Sequence, residues 1–396
     1  MKPIPEPKES IMTDNTSTVR TRGSAAPGKS RLSKKSAAWA GAALLCLSAC
    51  TTSDEKDPAP DTEKGILFAL TSDYKTGSYS VVGIDSAFIA NQIAPIHSDA
   101  VVRYLGGNDI FIINRLPRNN LQIVDRHNLH TVLEVGFPSL SNPQDVELND
   151  SLLYVAFYGT DKIGIYHQGE GAPKGEIDLS AYADSSDKLP ETSDLLFVGD
   201  TLYALTQNLD TKNGFVPLTA HLLKIDITTR KVTQALELPY GNPAGMTYDP
   251  ASGKLYIPCR GLYSNPDYSV KADGGIVVVD LSKFTIGDTL ATEADLGGNV
   301  NQAILYKGSL YMDVGADAAE KIVAISVADG MARDIVDLNP YSVGGMAIDA
   351  KTSTLYLGDR KKGAERLRIF DADTFQEKEG SKLDLGMPPV DMVVVR

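Results

Sequence analysis

The feature that most constrains this chain is a short β-strand pattern that recurs seven times. Each copy carries Phe or Tyr in its middle and is followed by a turn and a second apolar strand that usually ends in Asp. The aromatic residues recur every 43 to 55 positions and are Phe68, Phe111, Tyr154, Tyr203, Tyr256, Tyr311 and Tyr356. A repeat of this length built only from strands predicts a β-propeller, in which each copy is one four-stranded blade.

Within each repeat the aromatic strand is the second of four, which we label A to D in chain order. Turn-forming pairs such as Asn149-Asp150 and Lys307-Gly308 join strand A to strand B. Strand C ends in Asp in five repeats, and each carboxylate is expected to open the C–D hairpin by accepting backbone hydrogen bonds. These residues are Asp85, Asp125, Asp226, Asp280 and Asp371.

The two ends of the repeat array predict how the ring closes. The first repeat begins at Gly65 with a strand B and lacks a strand A, whereas residues 388–395 have the pattern of a strand A with no B after it. Pairing these two segments completes the first blade, and an open ring would leave unpaired strand edges. We therefore predict an all-β, seven-bladed propeller over residues 65–396, closed by its last strand.

Residues 1–49 are typical of a targeting segment and are set aside from the fold. A basic stretch at 31–35 precedes the apolar run 37–47, which is too short to span a membrane as a helix. Leu47-Ser48-Ala49-Cys50 then resembles the lipobox of bacterial lipoproteins, which implies lipidation of Cys50; an ordinary secretory signal is the alternative. The first 30 residues are longer than a signal needs, which is consistent with a translation start after Met1.

Residues 50–64 are polar and contain proline, which predicts a disordered tether between the lipid and the propeller. Thr51 follows Cys50 where the lipoprotein sorting rule places Asp for inner-membrane retention, so outer-membrane attachment is expected, facing either the periplasm or the exterior. Cys259 is the only other cysteine beyond residue 49, so a disulfide within the mature chain is not expected.

The charge of the chain narrows the choice of partners. Without residues 1–49 it holds 30 Lys and Arg against 48 Asp and Glu, a net charge of −18. Such a surface argues against nucleic acid and against anionic lipid headgroups, which leaves the lipid on Cys50 as the expected membrane contact.

Two segments of the chain resemble the YVTN-repeat propellers, in which an aromatic strand, a short loop and a V-x-V-x-D strand recur. They read SLLYVAFYGTDKIGIYH and NDIFIINRLPRNNLQIVD. The resemblance covers roughly residues 65–396 and implies the fold rather than a function. The Asn that closes strand B in that family is matched only by Asn114, and the sole tryptophan, Trp39, excludes propellers built on repeated Trp.

In a propeller, strand A begins and strand B ends on the same face, so the D–A and B–C loops surround the mouth of the central channel. Four residues past the aromatic residues we predict a ligand-binding ring of Arg115, Tyr158, Gln207, Arg260 and Arg360. Near the starts of the A strands we predict an acidic ring of Asp99, Asp145, Asp194 and Asp391. The guanidinium groups suit a carboxylate or phosphate ligand. The alternative is that the two rings bind each other or loop amides and join the blades.

The B–C loops at 207–220 and 260–273 are much longer than the others, and such loops are often functional. They carry Phe215, Tyr263 and Tyr268, which are expected either to cover the mouth as part of a binding site or to serve only in packing. Catalytic and metal-binding motifs are absent from the sequence, so we expect no metal and no cofactor. Cys259, beside Arg260, is either a reactive thiol or a small buried apolar residue.

These observations favour a non-enzymatic capture module of the cell envelope that binds a polar or anionic small molecule. The layout is similar to that of corrinoid-capturing surface propellers, which implies an outer-membrane receptor or another envelope protein as a partner. Two alternatives stay open. One is a lactonase-like propeller hydrolase, and the other is a protein-binding scaffold that uses the long loops.

Overall fold

The structure is a computed structural model that describes residues 64–86, 88–262 and 269–396. The predicted lipidation site Cys50 and the loop aromatics Tyr263 and Tyr268 lie outside the described residues, so their roles stay predictions. None of the helices in the described part of the chain has the length and apolar character needed to cross a membrane.

The described residues form 30 strands, and every pair of neighbouring strands is antiparallel. The first fifteen are β1 (Ile66–Ser72), β2 (Gly77–Gly83), β3 (Ile89–Ala90), β4 (Pro95–Ile96), β5 (Ala100–Tyr104), β6 (Asp109–Asn114), β7 (Asn120–Asp125), β8 (Thr131–Gly136), β9 (Pro143–Asn149), β10 (Leu152–Phe157), β11 (Lys162–His167), β12 (Pro173–Asp178), β13 (Thr192–Val198), β14 (Thr201–Thr206) and β15 (Leu209–Asp210). The others are β16 (Val216–Pro217), β17 (His221–Asp226), β18 (Lys231–Glu237), β19 (Thr247–Asp249), β20 (Lys254–Cys259), β21 (Gly275–Asp280), β22 (Thr285–Ile286), β23 (Asn299–Tyr306), β24 (Ser309–Gly315), β25 (Glu320–Ser326), β26 (Ala332–Leu338), β27 (Val343–Asp349), β28 (Thr354–Asp359), β29 (Arg366–Asp371) and β30 (Pro389–Val395). Helical segments of the described chain are the α-helix α1 (Glu293–Leu296) and two 3₁₀ turns, Ser180–Tyr182 and Thr211–Asn213.

These strands build seven blades in a ring, as the repeat predicted. Blades 2 to 6 are β5–β8, β9–β12, β13-β14-β17-β18, β19–β22 and β23–β26, each in the order A to D. In blade 7 strands β27–β29 supply A to C, and two isolated bridges, Leu367–Leu383 and Phe370–Glu377, hold the outer position. Strands β15 and β16 form a separate small hairpin within the long B–C loop of blade 4.

Blade 1 closes the ring in the predicted way. Its sheet has the order β3-β2-β1-β30, so the last strand of the chain is the inner strand A of the first blade. In this pairing Ile66 lies opposite Val395 and Phe68 lies opposite Val393. The outer strand of this blade is divided into β3 and β4, both of which pair with β2.

Seven apolar clusters fill the ring, one between each pair of neighbouring blades. Because successive side chains of a strand point to opposite faces, β1 serves two clusters at once. Phe68 packs toward blade 2 with Val102 and Ile110, whereas Leu67 packs toward blade 7 with Tyr356. Each blade is therefore buried on both faces, which explains why the B strands are almost continuously apolar.

The hairpin turns use the residues that their geometry requires. In the A–B turn of blade 6, Lys307 and Gly308 both have positive φ, 45° and 76°, as a type I′ hairpin turn demands. The predicted carboxylate turns form at four C–D hairpins, where Oδ1 accepts two backbone N–H groups at 2.8–3.2 Å; the acceptors are Asp125, Asp226, Asp280 and Asp371.

For the fifth predicted turn residue, Asp85, the position two residues on lies outside the described residues, so its turn contact stays a prediction, and the carboxylate has a second contact. Its Oδ2 accepts a hydrogen bond from Nη1 of Arg396 at 3.1 Å. The same guanidinium donates to both carboxylate oxygens of Asp349 in blade 7, at 2.9 and 2.5 Å. The backbone oxygen of Arg396 accepts from the Tyr104 hydroxyl of blade 2 at 2.9 Å. Asp85 is therefore recruited to a polar contact that joins blades 7, 1 and 2 at the closure.

Candidate functional site

A cavity of about 720 Å³ lies in the centre of the ring, where the A strands of several blades face one another. Its walls come from β5, β23, β27 and β30, together with residues at the starts of A strands and the ends of B strands. The cavity therefore extends from the middle of the channel to the mouth where the D–A and B–C loops lie. Volumes of this size are typical of small-molecule sites.

Four of the five predicted ring residues line this cavity: Arg115, Tyr158, Gln207 and Arg260. The fifth, Arg360, is not among the lining residues. Its guanidinium carbon lies 4.5 Å from the centre of the Tyr74 ring, a cation–π contact, and burial lowers its pKa. Equivalent positions in four blades thus place their side chains on one cavity.

The predicted acidic residues mostly join blades. In three A strands an aspartate accepts a backbone N–H from the next blade, in its A strand or one residue before it, at 2.6 to 2.9 Å. The pairs are Asp391 with Val102, Asp145 with Leu195, and Asp194 with Met246. These contacts join neighbouring blades, as the alternative expected, but they use amides in or beside A strands rather than loop amides. Asp99 lies apart from these three: its side chain is 59% exposed and accepts from Arg115 Nη1 at 3.4 Å.

An arginine that the sequence analysis missed stands among these aspartates. Arg103, on β5, donates from Nε to Asp145 Oδ1 at 2.6 Å, and its Nη1 lies 4.0 Å from Asp391 Oδ2. The sequence signal for this residue is a single charge in the otherwise uncharged strand segment AVVRY. Because burying these aspartates without a cation would be costly, Arg103 stabilises the acidic wall of the channel.

Glu147, on β9, is a second missed residue and lies near Asp145 and Arg103. Burial raises its pKa to about 8; nearby Asp145 acts in the same direction and Arg103 opposes both. Burial likewise raises the pKa of Asp194, with Asp145 adding to the effect, and raises that of Asp391. The inner part of the channel is thus a place where carboxyl groups hold protons at higher pH than usual.

Arg260 presents a guanidinium group to the cavity from a fixed backbone. The amide of Asn299 donates to the Arg260 carbonyl oxygen at 2.7 Å and to Glu293 Oε1 at 2.9 Å. Glu293, fully buried in α1, also accepts the backbone N–H of Gly274 at 3.0 Å. In the described part of the chain Arg260 forms no ion pair, and its buried Nε has no hydrogen-bond partner.

Tyr158 and Gln207 form the neighbouring wall of the mouth. The Tyr158 hydroxyl donates to Gln207 Oε1, and Gln207 Nε2 donates to the Pro243 carbonyl at 2.7 Å, so blades 3, 4 and 5 are linked there. Burial raises the pKa of Tyr158 to about 12, while Arg260 and Arg115 act against it. The charges of Arg260 and Arg115 therefore reach the Tyr158 hydroxyl and favour its ionised form.

Asp313, on β24, lines the same cavity and was also missed. Its Oδ2 accepts from the Asn301 amide at 2.5 Å. Burial and the nearby Glu320 raise its pKa to about 7, with Arg260 opposing them. The site therefore contains a carboxyl group that can gain or lose a proton near neutral pH, a property common at functional sites.

Of the other predicted residues in the described part of the chain, Phe215 lies away from this cavity and Cys259 is buried in the core. Phe215 is 58% exposed in the hairpin of β15 and β16 and does not line the cavity. Cys259 is fully buried and burial raises its thiol pKa well above the usual value, which fits the small apolar residue rather than the reactive thiol.

No protein-family model matches the chain, and no curated protein matches it by sequence. Among solved structures it is similar to a candidate 6-phosphogluconolactonase from Bacteroides fragilis, with 13% identity and a TM-score of 0.57 over 86% of this chain and 100% of that one. It is also similar to apo AztD from Citrobacter koseri, with 14% identity and a TM-score of 0.53 over 84% and 98% of the two chains. Hydrazine synthase of Kuenenia stuttgartiensis matches at 15% identity and 0.52 over 72% and 80%. At these identities the likenesses show the propeller fold alone, so the protein is placed in the class of seven-bladed propellers by its architecture.

The raised pKa of Glu147 predicts a pH dependence of stability. Between its ordinary value of 4.5 and about 8, the folded protein holds a proton that the unfolded chain releases. Stability contributed by this group is present at low pH and is lost as the pH rises through about 8. We expect the melting temperature to fall between pH 6 and pH 9, and Glu147→Gln to reduce that fall by about 2–4 °C.

The reduction is expected to be partial, because burial also raises the pKa of Glu191 to about 8. Glu170→Gln, which changes a largely exposed glutamate, is the control and should leave the fall unchanged. Equal pH dependence in wild type and Glu147→Gln, measured by circular dichroism melting, would show that Glu147 is not held protonated.

Proposed function

We propose that this protein is a binding module that captures an anionic small molecule, carrying a carboxylate or phosphate group, in its central cavity. The observation that supports this most is the state of Arg260. Its guanidinium faces the cavity with a buried Nε that has no hydrogen-bond partner, and it forms no ion pair within the described residues. Because a partly buried charge without a partner is costly, a ligand anion at this position would be stabilised.

Arg115 is the second group proposed to contact the anion. Its Nε is also buried without a partner, and its nearest acidic contact among the described residues, Asp99, is a long one at 3.4 Å on the exposed side. Planar guanidinium groups bind carboxylate and phosphate in a bidentate manner. Two such groups near the hydroxyl of Tyr158 offer several donors to one anionic group.

The charge distribution sets the orientation of the proposed ligand. In the inner channel the charge of Arg103 is already offset by Asp145 and Asp391, whereas Arg115 and Arg260, at the ends of B strands, form no ion pair with a buried carboxylate among the described residues. We therefore place the anionic group at the mouth and the neutral, hydroxyl-bearing part of the ligand toward the inner channel. Asp194 and Gln302, which line the cavity, are suited to hydroxyl groups.

Removal of the Arg260 guanidinium should weaken anion binding. In calorimetric titrations with inorganic phosphate, citrate and hexose phosphates, we expect one saturable site and a loss of affinity of tenfold or more in Arg260→Ala, since a charged hydrogen bond contributes about 1.5–3 kcal/mol. Arg360→Ala is the matched control, because it removes an arginine from the same ring position outside the cavity wall.

Three results would count against this proposal. Wild-type affinity in Arg260→Ala would refute the assigned contact, and equal losses in Arg260→Ala and Arg360→Ala would indicate a general effect on the fold. Absence of binding for the whole set of anions would refute capture itself.

A second candidate function is hydrolysis of a lactone, which the state of Asp313 supports. A carboxyl group with a pKa of about 7 is suited to accept a proton from an attacking water molecule, and the nearby arginine charge is suited to stabilise the oxyanion that develops on the carbonyl. The likeness to the Bacteroides fragilis structure supports only the fold of such an enzyme.

This candidate predicts turnover of sugar δ-lactones that rises with pH through about 7. Asp313→Asn should lower the rate at least 100-fold, because it removes the proton acceptor. Asp200→Asn, a change of an exposed aspartate in the A–B turn of blade 4, should leave the rate unchanged. A wild-type rate equal to the spontaneous hydrolysis rate in a pH-stat assay would exclude the enzyme and leave the binding module.

A further inference from the structure

A second polar cluster lies on the segment that leads from blade 3 into blade 4, residues 183–191. One carboxylate oxygen each from Asp184, Asp187 and Glu191 lies within 4.8 Å of the other two. Glu191 is only 3% exposed, and the two aspartates are partly buried. Three acidic groups are thus confined to a space of the size that one ion occupies with its ligands.

Two of these carboxylates have buried oxygens without a partner. Glu191 Oε2 accepts the backbone N–H of Leu209 at 2.9 Å, but Oε1 has no hydrogen-bond partner among the described residues. Asp184 Oδ2 is also buried without a partner. Buried polar atoms are nearly always satisfied in native structures, so these oxygens call for a partner that could be a bound cation, or a proton shared with Asp187.

The protein itself supplies no counter-charge to the cluster. Within the described residues no lysine or arginine forms an ion pair with Asp184, Asp187 or Glu191. The nearby Lys212 donates from Nζ to the backbone oxygen of Ser186 instead. Burial raises the pKa of Glu191, and Asp187 and Asp184 add to the shift. Hydrogen bonds from Ser186 and Leu189 stabilise the two aspartates in part, and a cation placed between the three carboxylates would offset the remaining repulsion.

We infer that Asp184, Asp187 and Glu191 bind a calcium ion. The donors are all oxygens, which hard cations prefer, whereas zinc prefers nitrogen and sulfur ligands. Calcium accepts irregular arrangements of carboxylates completed by carbonyl oxygens and water, while magnesium demands a near-ideal octahedron. An irregular loop with three carboxylates fits calcium best.

The cluster lies between two segments of the chain that a bound ion would connect. The Thr211 hydroxyl, in the long B–C loop of blade 4, donates to Asp187 Oδ2 at 2.7 Å, and the backbone N–H of Gln207 donates to the Glu191 carbonyl at 3.1 Å. A calcium ion would therefore join the 183–191 segment to the loop that begins at Gln207, on the wall of the cavity. This inference does not depend on the proposed anion binding.

The test is a calorimetric titration of the full-length chain with calcium chloride after removal of metals by EDTA and gel filtration. We expect one saturable site and a melting temperature that rises by about 2–4 °C at saturation. Asp184→Asn should weaken calcium binding at least tenfold and retain the fold, since Asp184 is partly exposed. Asp200→Asn is the matched control, because it removes an exposed charge from the A–B turn at the other end of blade 4.

Several outcomes would overturn the inference. A folded wild-type chain that shows no calcium binding would mean that a proton relieves the cluster, and unchanged affinity in Asp184→Asn would place any bound ion elsewhere. Tighter binding of magnesium or zinc than of calcium would refute the choice of metal. Anion titrations of Asp184→Asn in the presence of EDTA measure anion binding without calcium. They therefore test the role of Arg260 independently of the calcium result.

Discussion

The pairing of β30 with β1 is the interaction on which the rest of the structure depends. It converts a linear series of blades into a ring, and only in a ring are both faces of blade 1 buried. An open array would expose two apolar faces and two unpaired strand edges. The central cavity also depends on this pairing, because β30 and its Asp391 form part of the cavity wall.

The polar interior of the ring serves both stability and the proposed specificity. Asp145, Asp194 and Asp391 each hold the next blade through a backbone N–H, and Arg103 offsets part of their charge. The consequence is a channel whose inner aspartates are bound to backbone amides and to Arg103, while Arg260 at the mouth forms no ion pair within the described residues. A protein with an overall charge of −13 therefore offers anions a localised binding position rather than a broadly attractive surface.

Much of the architecture could be predicted from the sequence because it follows from local periodicity. Aromatic strands recurring every 43 to 55 residues gave the blade count, and the isolated strand at the end of the chain gave the closure. The ring position four residues past the aromatic also placed Arg115 and Arg260 on one cavity, since equivalent positions of a repeat are brought together by the symmetry of the fold. The same argument predicted Arg360 at the cavity, but its guanidinium stacks on the Tyr74 ring and does not line the cavity.

The residues that were missed are those whose environment depends on contacts between blades. Glu147 and Asp313 occupy ordinary strand positions, and part of their charged environment, Arg103 for the first and Arg260 for the second, comes from the neighbouring blade. The cluster of Asp184, Asp187 and Glu191 was not singled out from the sequence either, because its spacing matches no recognised motif. The contact of Asp85 with Arg396 was missed as well, because the two residues are 311 positions apart in the chain.

Hydrogen exchange of the native protein, followed by mass spectrometry, tests the closure most directly because it leaves the chain unaltered. The account predicts that amides of β1 and β30 exchange together and as slowly as those of the interior strands β6 and β10, since all four are held by the cooperative ring. Rapid exchange of β30 while β1, β6 and β10 stay protected would contradict the account, because the ring would then be intact without its closing strand.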